Sequence, residues 1–256
     1  MNDFYIYGRR PIIAAIKSGA NISKIYLQYG TQGEEISHIN SLAISNRIPI
    51  TEYDKNKFNQ FLFNHNLTKE NHQGIVALRE IGVSLPLFQL INESLINSEN
   101  PILLFLDEIQ DPHNLGSIAR TAEAAGVAGL IITESKSSPI TPIAYKTSAG
   151  ALEYLPFSVI KNSVAAIEQL KEAGFSVIAS DLSSSVDYRS VDYNKPIALI
   201  IGNEGSGIRP HILRLSDLSV HIPMYGKTES LNASVSAGIL IYEIINQRES
   251  IIQKNQ

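Results

Sequence analysis

From residue 101 onward the chain repeats one phrase: an apolar run, a polar loop, then a stretch with apolar residues three and four apart. PILLFLD (101–107) is continuously apolar, the pattern of a strand buried on both faces. NLGSIARTAEAAG (114–126) follows as a helix, VAGLIIT (127–133) as a strand and TPIAYKTSAG (141–150) as a helix. YLPFSVI (154–160) is a strand, NSVAAIEQLKEAG (162–174) a helix and FSVIASDL (175–182) a strand. PIALIIGNEGSGI (196–208) is a strand running into a glycine-rich loop, LSVHIPM (218–224) is the last strand, and residues 232–247 form the last helix. Strands alternating with helices through short connections predict an α/β fold with a parallel sheet covered on both faces.

The first 80 residues follow a different plan. GRRPIIAAIKSG (8–19) reads as a short helix with Pro11 in its first turn and Gly19 as its stop. ISKIYLQ (22–28), IPITEY (48–53) and QGIVALRE (73–80) read as strands. Ile36, Ile39, Leu42 and Ala43 mark a helix over 34–47, and KNKFNQFLF (55–63) another. Residues 81–100, rich in Asn and Ser, read as a linker holding a short helix. The expected organisation is a small α/β domain over 1–80, the linker over 81–100, and a larger parallel-sheet domain over 101–256.

Composition narrows the class. Of 256 residues, 44% are hydrophobic, enough for real cores, and there is no cysteine for disulfides or thiolate metal sites. MNDFYIYGRR lacks the basic and apolar segments of a secretory signal, and no uncharged apolar run reaches membrane-spanning length. The expectation is a cytoplasmic protein with no membrane partner. Net charge is −4, which argues against a general nucleic-acid coat. Residues 1–80 carry 9 Lys/Arg against 7 Asp/Glu, whereas residues 81–256 carry 12 against 18. Any polyanion must be met by local patches, and the first domain is the less hostile.

In parallel α/β sheets ligands bind beyond the carboxyl ends of the strands, so the loops after strands carry the candidate chemistry. In the first, Asn114 reads as the helix N-cap and Gly126 as its left-handed stop, and Arg120 as either a surface partner of Glu123 or a ligand contact. In the second, glycines at 202, 205 and 207 are spaced G-x-x-G-x-G, not G-x-G-x-x-G, and no Lys-Ser/Thr follows. That disfavours a dinucleotide fold and a P-loop and leaves a tight loop that lets backbone approach a ligand, with Glu204 inside it. In the third, MYGKTESLNASVSAG (224–238), Ser230 or Asn232 caps the last helix, and small residues leave room for a backbone or a ligand. No serine lies in a G-x-S-x-G elbow, so a Ser-His-Asp hydrolase is disfavoured.

Each loop alone is weak evidence. Together, Asn-Leu-Gly-x-x-x-Arg (114–120), Gly-x-Glu-Gly-x-Gly (202–207) and Ile-Pro-Met with Ser-Leu-Asn-x-Ser (222–234) occur in order, each after a predicted strand. The chain here resembles the SpoU, or TrmH, family of RNA 2'-O-ribose methyltransferases, over residues 101–248. YGRRPIIAAI (7–16) and HQGIVA (72–77) resemble the family's substrate-binding domain, which is related in fold to ribosomal protein L30e. The resemblance implies a SPOUT-like catalytic domain with a trefoil knot, a rare topology, and a homodimer with the site at its interface. It implies S-adenosylmethionine as cofactor, no metal, and RNA as partner, most closely a guanosine of 23S rRNA. Methylation of tRNA and a non-catalytic RNA-binding or ribosome-assembly role are the alternatives.

By the same resemblance, Asn114, Arg120, Glu204, Ser230 and Asn232 are catalytic. Arg120 is expected to clamp phosphate and stabilise developing alkoxide, oriented by Asn114. Ser148, Gly150, Ile201, Gly202, Asn203, Ile222, Met224 and Leu231 are expected to hold the cofactor. Arg9, Arg10, His72, Gln73 and Arg79 are expected to bind RNA.

Overall fold

The computed structural model describes residues 3–254 except 18, 81, 83 and 185. The chain forms two compact units, Met1–Ile81 and Gly82–Gln256. No helix among the described residues is long and apolar enough to cross a membrane.

The first unit runs β1 (Asp3–Tyr7), α1 (Arg9–Lys17), β2 (Ile22–Gln28), α2 (Glu34–Ser45), β3 (Ile50–Tyr53), α3 (Lys55–Asn64) and β4 (Ile75–Glu80). Its sheet has the order β1-β4-β2-β3, with β4 antiparallel to both neighbours and β2 parallel to β3. Helices α1 and α2 cover one face, burying Ile12, Ile16, Ile36 and Ile39 against Ile25, Leu27 and Ile75. Helix α3 covers the other, with Phe58 and Leu62 on Val76. Burial of each such side chain is worth about 1.5–3 kcal/mol. The periodicity reading passed over β1. Ile6 packs on one face while Tyr5 and Tyr7 pack on the other, so DFYIY shows no polar alternation to mark it.

The second unit runs α4 (Leu87–Asn97), β5 (Ile102–Asp107), α5 (Pro112–Ala124), β6 (Gly129–Thr133), α6 (Pro142–Thr147), β7 (Phe157–Ile160) and α7 (Ser163–Glu172). It continues with β8 (Ser176–Ser180), β9 (Ile197–Gly202), α8 (Pro210–Leu215), β10 (Leu218–Val220) and α9 (Ala233–Lys254). The six strands are all parallel, in the order β10-β8-β9-β5-β6-β7. The central β5, β6 and β9 are buried almost throughout, as their unbroken apolar runs require.

Several boundaries differ from the sequence expectation. Residues 81 and 83 of the expected linker lie outside the described residues. Most of the rest is α4, whose Leu90 and Ile91 are buried with β5, β6 and α7, so this segment is part of the second unit's core and not a free connection. Helix α8 was not foreseen, because six residues are too few to show a period. The last strand ends at Val220 rather than Met224, and α9 extends to Lys254. The α5 N-cap is Asp111, whose side chain accepts from His113 N at 2.9 Å, with Pro112 as the first helical residue; Asn114 lies inside the first turn. Gly126 does stop α5 in the left-handed region, φ +69°, with Val127 N bonded to Ala122 O and Gly126 N to Glu123 O.

Candidate functional site

The carboxyl ends of β8, β9 and β10 open on one cavity of about 340 Å³. Its floor is the loop after β9. Gly202 ends that strand where the chain turns back on itself: a Cβ there would lie 2.5 Å from Ile208 N and 2.7 Å from Gly207 O, so no side chain fits. Asn203 and Gly207 exchange backbone hydrogen bonds of 3.1 and 2.9 Å. The Asn203 side chain accepts from Gly205 N at 2.9 Å and Ser206 N at 3.2 Å and donates to Glu108 O at 2.9 Å. The loop is therefore closed and fastened to the end of β5.

A buried ion pair fixes the next residue. The fully buried Asp107 carboxylate accepts from Arg209 N at 3.0 Å, from Arg209 Nε at 2.9 Å and from Arg209 Nη2. Arg209 Nη2 also donates to Ser163 Oγ at 2.8 Å. Burial by itself would loosen the Arg209 proton, but the bond and charge of Asp107, with the charge of Glu108, hold its pKa above the ordinary value.

The wall beside this loop is a relay of three side chains. Asn232 caps α9: its Oδ1 accepts from Ser234 N at 2.9 Å and Ser234 Oγ at 2.6 Å. That fixes the amide's orientation, so Nδ2 donates to Asn114 Oδ1 at 2.9 Å. The Asn114 amide must in turn present Nδ2 to Glu204 Oε1, which accepts. Two amides in series thus present one donor, Asn114 Nδ2, to the carboxylate and hold it at the cavity's edge, joining α5, the β9 loop and α9.

Of the residues singled out from sequence, Glu204, Ser230, Ile201, Gly202, Asn203, Ile222, Met224 and Leu231 line the cavity. Asn114 and Asn232 join it through the relay. Ser148 and Gly150 do not line it. The buried Ser148 hydroxyl donates to Tyr145 O at 2.7 Å, and Gly150, at φ +91°, starts the short 3-10 turn after α6. Arg120 stands exposed on α5, six residues and about 9 Å along the axis from Asn114. It makes neither the expected pair with Glu123 nor a bond to Asn114, whose amide is engaged elsewhere. Sequence reading missed Asp181, His221 and Glu229, which also line the cavity. Asp181 was within reach of the rule that inspects residues just past strand ends; nothing local marked His221 or Glu229.

In the first unit, Arg9, Arg10, His72 and Gln73 gather at one end of the sheet. Arg9 N donates to Gln73 Oε1 at 3.0 Å, Gly74 N donates to His72 Nδ1 at 3.0 Å, and Arg10 pairs with Glu35 at 3.1 Å. Arg9 Nε is buried without a partner among the described residues. Gln73 holds φ +51°. Burial lowers the His72 pKa from its ordinary value. Arg79 does not belong to this group. It lies five residues from Gly74 along β4, about 17 Å away, with its guanidinium 5.6 Å from the centre of the Phe4 ring.

Comparison with known proteins adds the following. The SpoU rRNA methylase family matches residues 101–242, and the RNA 2'-O ribose methyltransferase substrate-binding family matches residues 5–80. YacO of Bacillus subtilis, assigned to the TrmH family of tRNA/rRNA methyltransferases, is 34% identical over 247 residues, 96% of this chain and 97% of that protein. A protein of Staphylococcus aureus with the same assignment is 35% identical over 251 residues, 98% of this chain and 99% of that one. Among solved structures, an AdoMet-bound rRNA methyltransferase from Sinorhizobium meliloti superposes with a TM-score of 0.69 at 26% identity, covering 96% of this chain and 87% of that one. The SpoU methyltransferase AviRb from Streptomyces viridochromogenes, in complex with AdoMet, gives 0.68 at 26% identity, covering 97% and 91%.

Proposed function

The chain belongs to the SpoU/TrmH family of RNA methyltransferases, and from that premise we propose that it transfers a methyl group from S-adenosylmethionine to a ribose 2'-hydroxyl in structured RNA. A guanosine of 23S rRNA is the favoured target. The observation that carries this reading is the Asn232–Asn114–Glu204 relay at the rim of a cavity beyond the strand ends.

The chemistry of the cavity fits the cofactor. Asp181, Glu204 and Glu229 line it, and among the described residues no Lys or Arg does. That suits a ligand bearing a sulfonium and an ammonium. When bound, the cofactor supplies an electrophilic methyl group; the chain's task is alignment, which contributes about 7–11 kcal/mol in well-positioned reactions. Ile201, Ile222, Met224 and Leu231 provide apolar contact, and Gly202 keeps the floor close. Glu204, held by Asn114, and Ser230 face the ligand from the polar side. Arg120 is free to meet a substrate phosphate and stabilise developing alkoxide, acting by charge and fork geometry.

The first unit captures RNA through Arg9, Arg10, His72 and Gln73. A homodimer fits the exposed Val235 and Tyr242, seven residues apart on one face of α9. The trefoil knot belongs to the same reading. What supports it is the fastening of α9 by residues between β8 and β9, through Arg248 to Tyr193 O and Lys195 O. Methylation of tRNA is the second reading, favoured by the tRNA/rRNA assignment of the relatives.

The test is mass-spectrometric mapping of ribose methylation in rRNA and tRNA from cells with and without the protein. One 2'-O-methyl mark should vanish and return with the wild-type chain. No change in either RNA pool would overturn the proposal.

A further inference from the structure

At the arginine end of the first unit, one large aromatic side chain stands in solvent. Tyr29 follows β2 directly and is 74% exposed. Single exposed apolar groups are ordinary on a protein surface, so the setting of Tyr29 has to decide what it does.

That setting is a firmly held loop. Tyr29 N donates to Tyr53 O at 2.7 Å, and Thr31 N donates to Gln28 O at 3.1 Å. Thr31 packs on Gly74, where an added Cβ would lie 2.6 Å from Thr31 Oγ1. Gly33 lies against Arg9, since a Cβ there would stand 3.2 Å from Arg9 Nη1. Gln28 N donates to Gly74 O at 2.9 Å and Gly8 N to Ile75 O at 3.4 Å. In the order β1-β4-β2, Tyr29 and Arg9 therefore leave the sheet two strand spacings apart, about 10 Å. Next to Tyr29 the surface is open: a Cβ on Gly30 would meet nothing within 4 Å.

Charge alone makes this end a weak trap for a polyanion. Arg9 and Arg10 share it with Glu34 and Glu35 in the first turn of α2, and Arg10 already pairs with Glu35. Two cations offset by two carboxylates leave little net attraction for phosphate. Capture of RNA here calls for a contact that does not depend on charge.

We propose that Tyr29 is that contact: an unpaired base of the RNA stacks on its ring while Arg9 and Arg10 hold the adjoining phosphates. The role rests on the RNA-capture reading above and narrows it, because the substrate must then present a single-stranded loop or bulge. In continuous A-form duplex the bases are stacked on one another and the deep major groove excludes side chains, so a protein ring meets a base face only where pairing is interrupted. Every base has such a face, so Tyr29 reads openness and leaves sequence to other contacts.

The experiment is fluorescence anisotropy on the full chain with two labelled RNAs: a hairpin with an unpaired nucleotide loop, and the same stem closed by an ethylene glycol linker. At one salt concentration the wild type should bind the nucleotide-loop hairpin about tenfold more tightly. Tyr29→Ala should lower that affinity about tenfold, to the level of the linker-closed stem, and leave the stem affinity and the melting temperature unchanged. The slope of affinity against salt should also stay as it was, since the lost contact is neutral. Tyr29→Phe keeps the ring and should bind as the wild type does. The chain has no tryptophan, so Tyr29→Trp introduces a lone indole whose emission the nucleotide loop should quench and the linker-closed stem should not. Wild-type affinity for the hairpin in Tyr29→Ala, or equal affinity of the wild type for the two RNAs, overturns the stacking role and leaves RNA capture standing. Binding of neither RNA removes both.

Discussion

Replacing Arg209 by methionine tests how the floor of the site is held. Asp107 is fully buried, and all three donors to its carboxylate come from Arg209: the backbone N–H and two N–H groups of the guanidinium, at Nε and Nη2. Methionine keeps the backbone donor and much of the side-chain bulk but removes the charge. The carboxylate is then left in the interior with a single N–H. Removing one partner of a buried pair costs about 3–5 kcal/mol. Because the Arg209 side chain is 28% exposed, water can partly replace it, and the lower end, about 3 kcal/mol, applies. In a domain of 150–250 residues each kcal/mol moves the melting temperature by about 2–4 °C, so Arg209→Met should melt about 6–12 °C below wild type. Adding Asp107→Asn removes the stranded charge and keeps an oxygen for the backbone N–H of position 209, so the double variant should recover at least half of that loss. Calorimetric melts of wild type, single and double variants decide it. A single-variant drop under 2 °C, or a double variant no more stable than the single, would refute the reasoning.

Gly202→Ala should destabilise by about 1–3 kcal/mol and abolish cofactor binding, since its Cβ meets backbone on both sides; thermal melts and calorimetry read both effects. Asn232→Asp keeps the α9 cap but turns an acceptor toward Asn114 Oδ1, so methyl transfer should fall on the order of 10²-fold with the melting temperature unchanged. Arg248→Met strands the carbonyls of Asn100, Tyr193 and Lys195 and should cost about 3 kcal/mol in urea denaturation, allowing for the part of the side chain that water reaches. Burial lowers the folded pKa of His72, so the unfolded chain takes up the proton first. Stability is full above the ordinary value of 6.5 and declines as pH falls below it, a dependence that urea midpoints at pH 7.5 and 5.5 should show diminished in His72→Ala.

What could be read from the sequence was what depends on neighbours along the chain. The runs ILLFLD, GLIIT and IALIIG declare buried parallel strands because both faces of each strand are covered. Gly126 announces a helix end because only the local backbone decides it. The six-residue α8 was invisible because its length is shorter than two helical periods, and β1 because aromatic residues on one face and Ile6 on the other erase the alternation. Residues 81–100 read as a linker holding a short helix because Asn and Ser dilute the apolar pattern. Asn92 and Asn97 are exposed, but Ser94 is buried with its hydroxyl donating to Ile91 O, and Leu90 and Ile91 find partners contributed by β5, β6 and α7.

The site divides along the same line. Its polar residues could be named from sequence, but their tasks could not, because a task depends on who holds the side chain. Asn114 has the right composition for a cap and the wrong position, since Asp111 takes the cap and Pro112 opens the helix. Freed from capping, its amide could point either way. The direction is imposed from Asn232, 118 residues distant, whose oxygen is fixed by Ser234 at the start of α9 and whose nitrogen must therefore face Asn114. The donor that reaches Glu204 is thus set by a helix start elsewhere in the unit, and an amide at position 114 alone does not specify it. The expected contact between Arg120 and Asn114 is not made: Asn114 bridges Asn232 and Glu204, and Arg120 stands about 9 Å further along α5. In the proposed reaction Arg120 would therefore meet RNA phosphate from a separate position on α5, apart from the relay that holds the carboxylate.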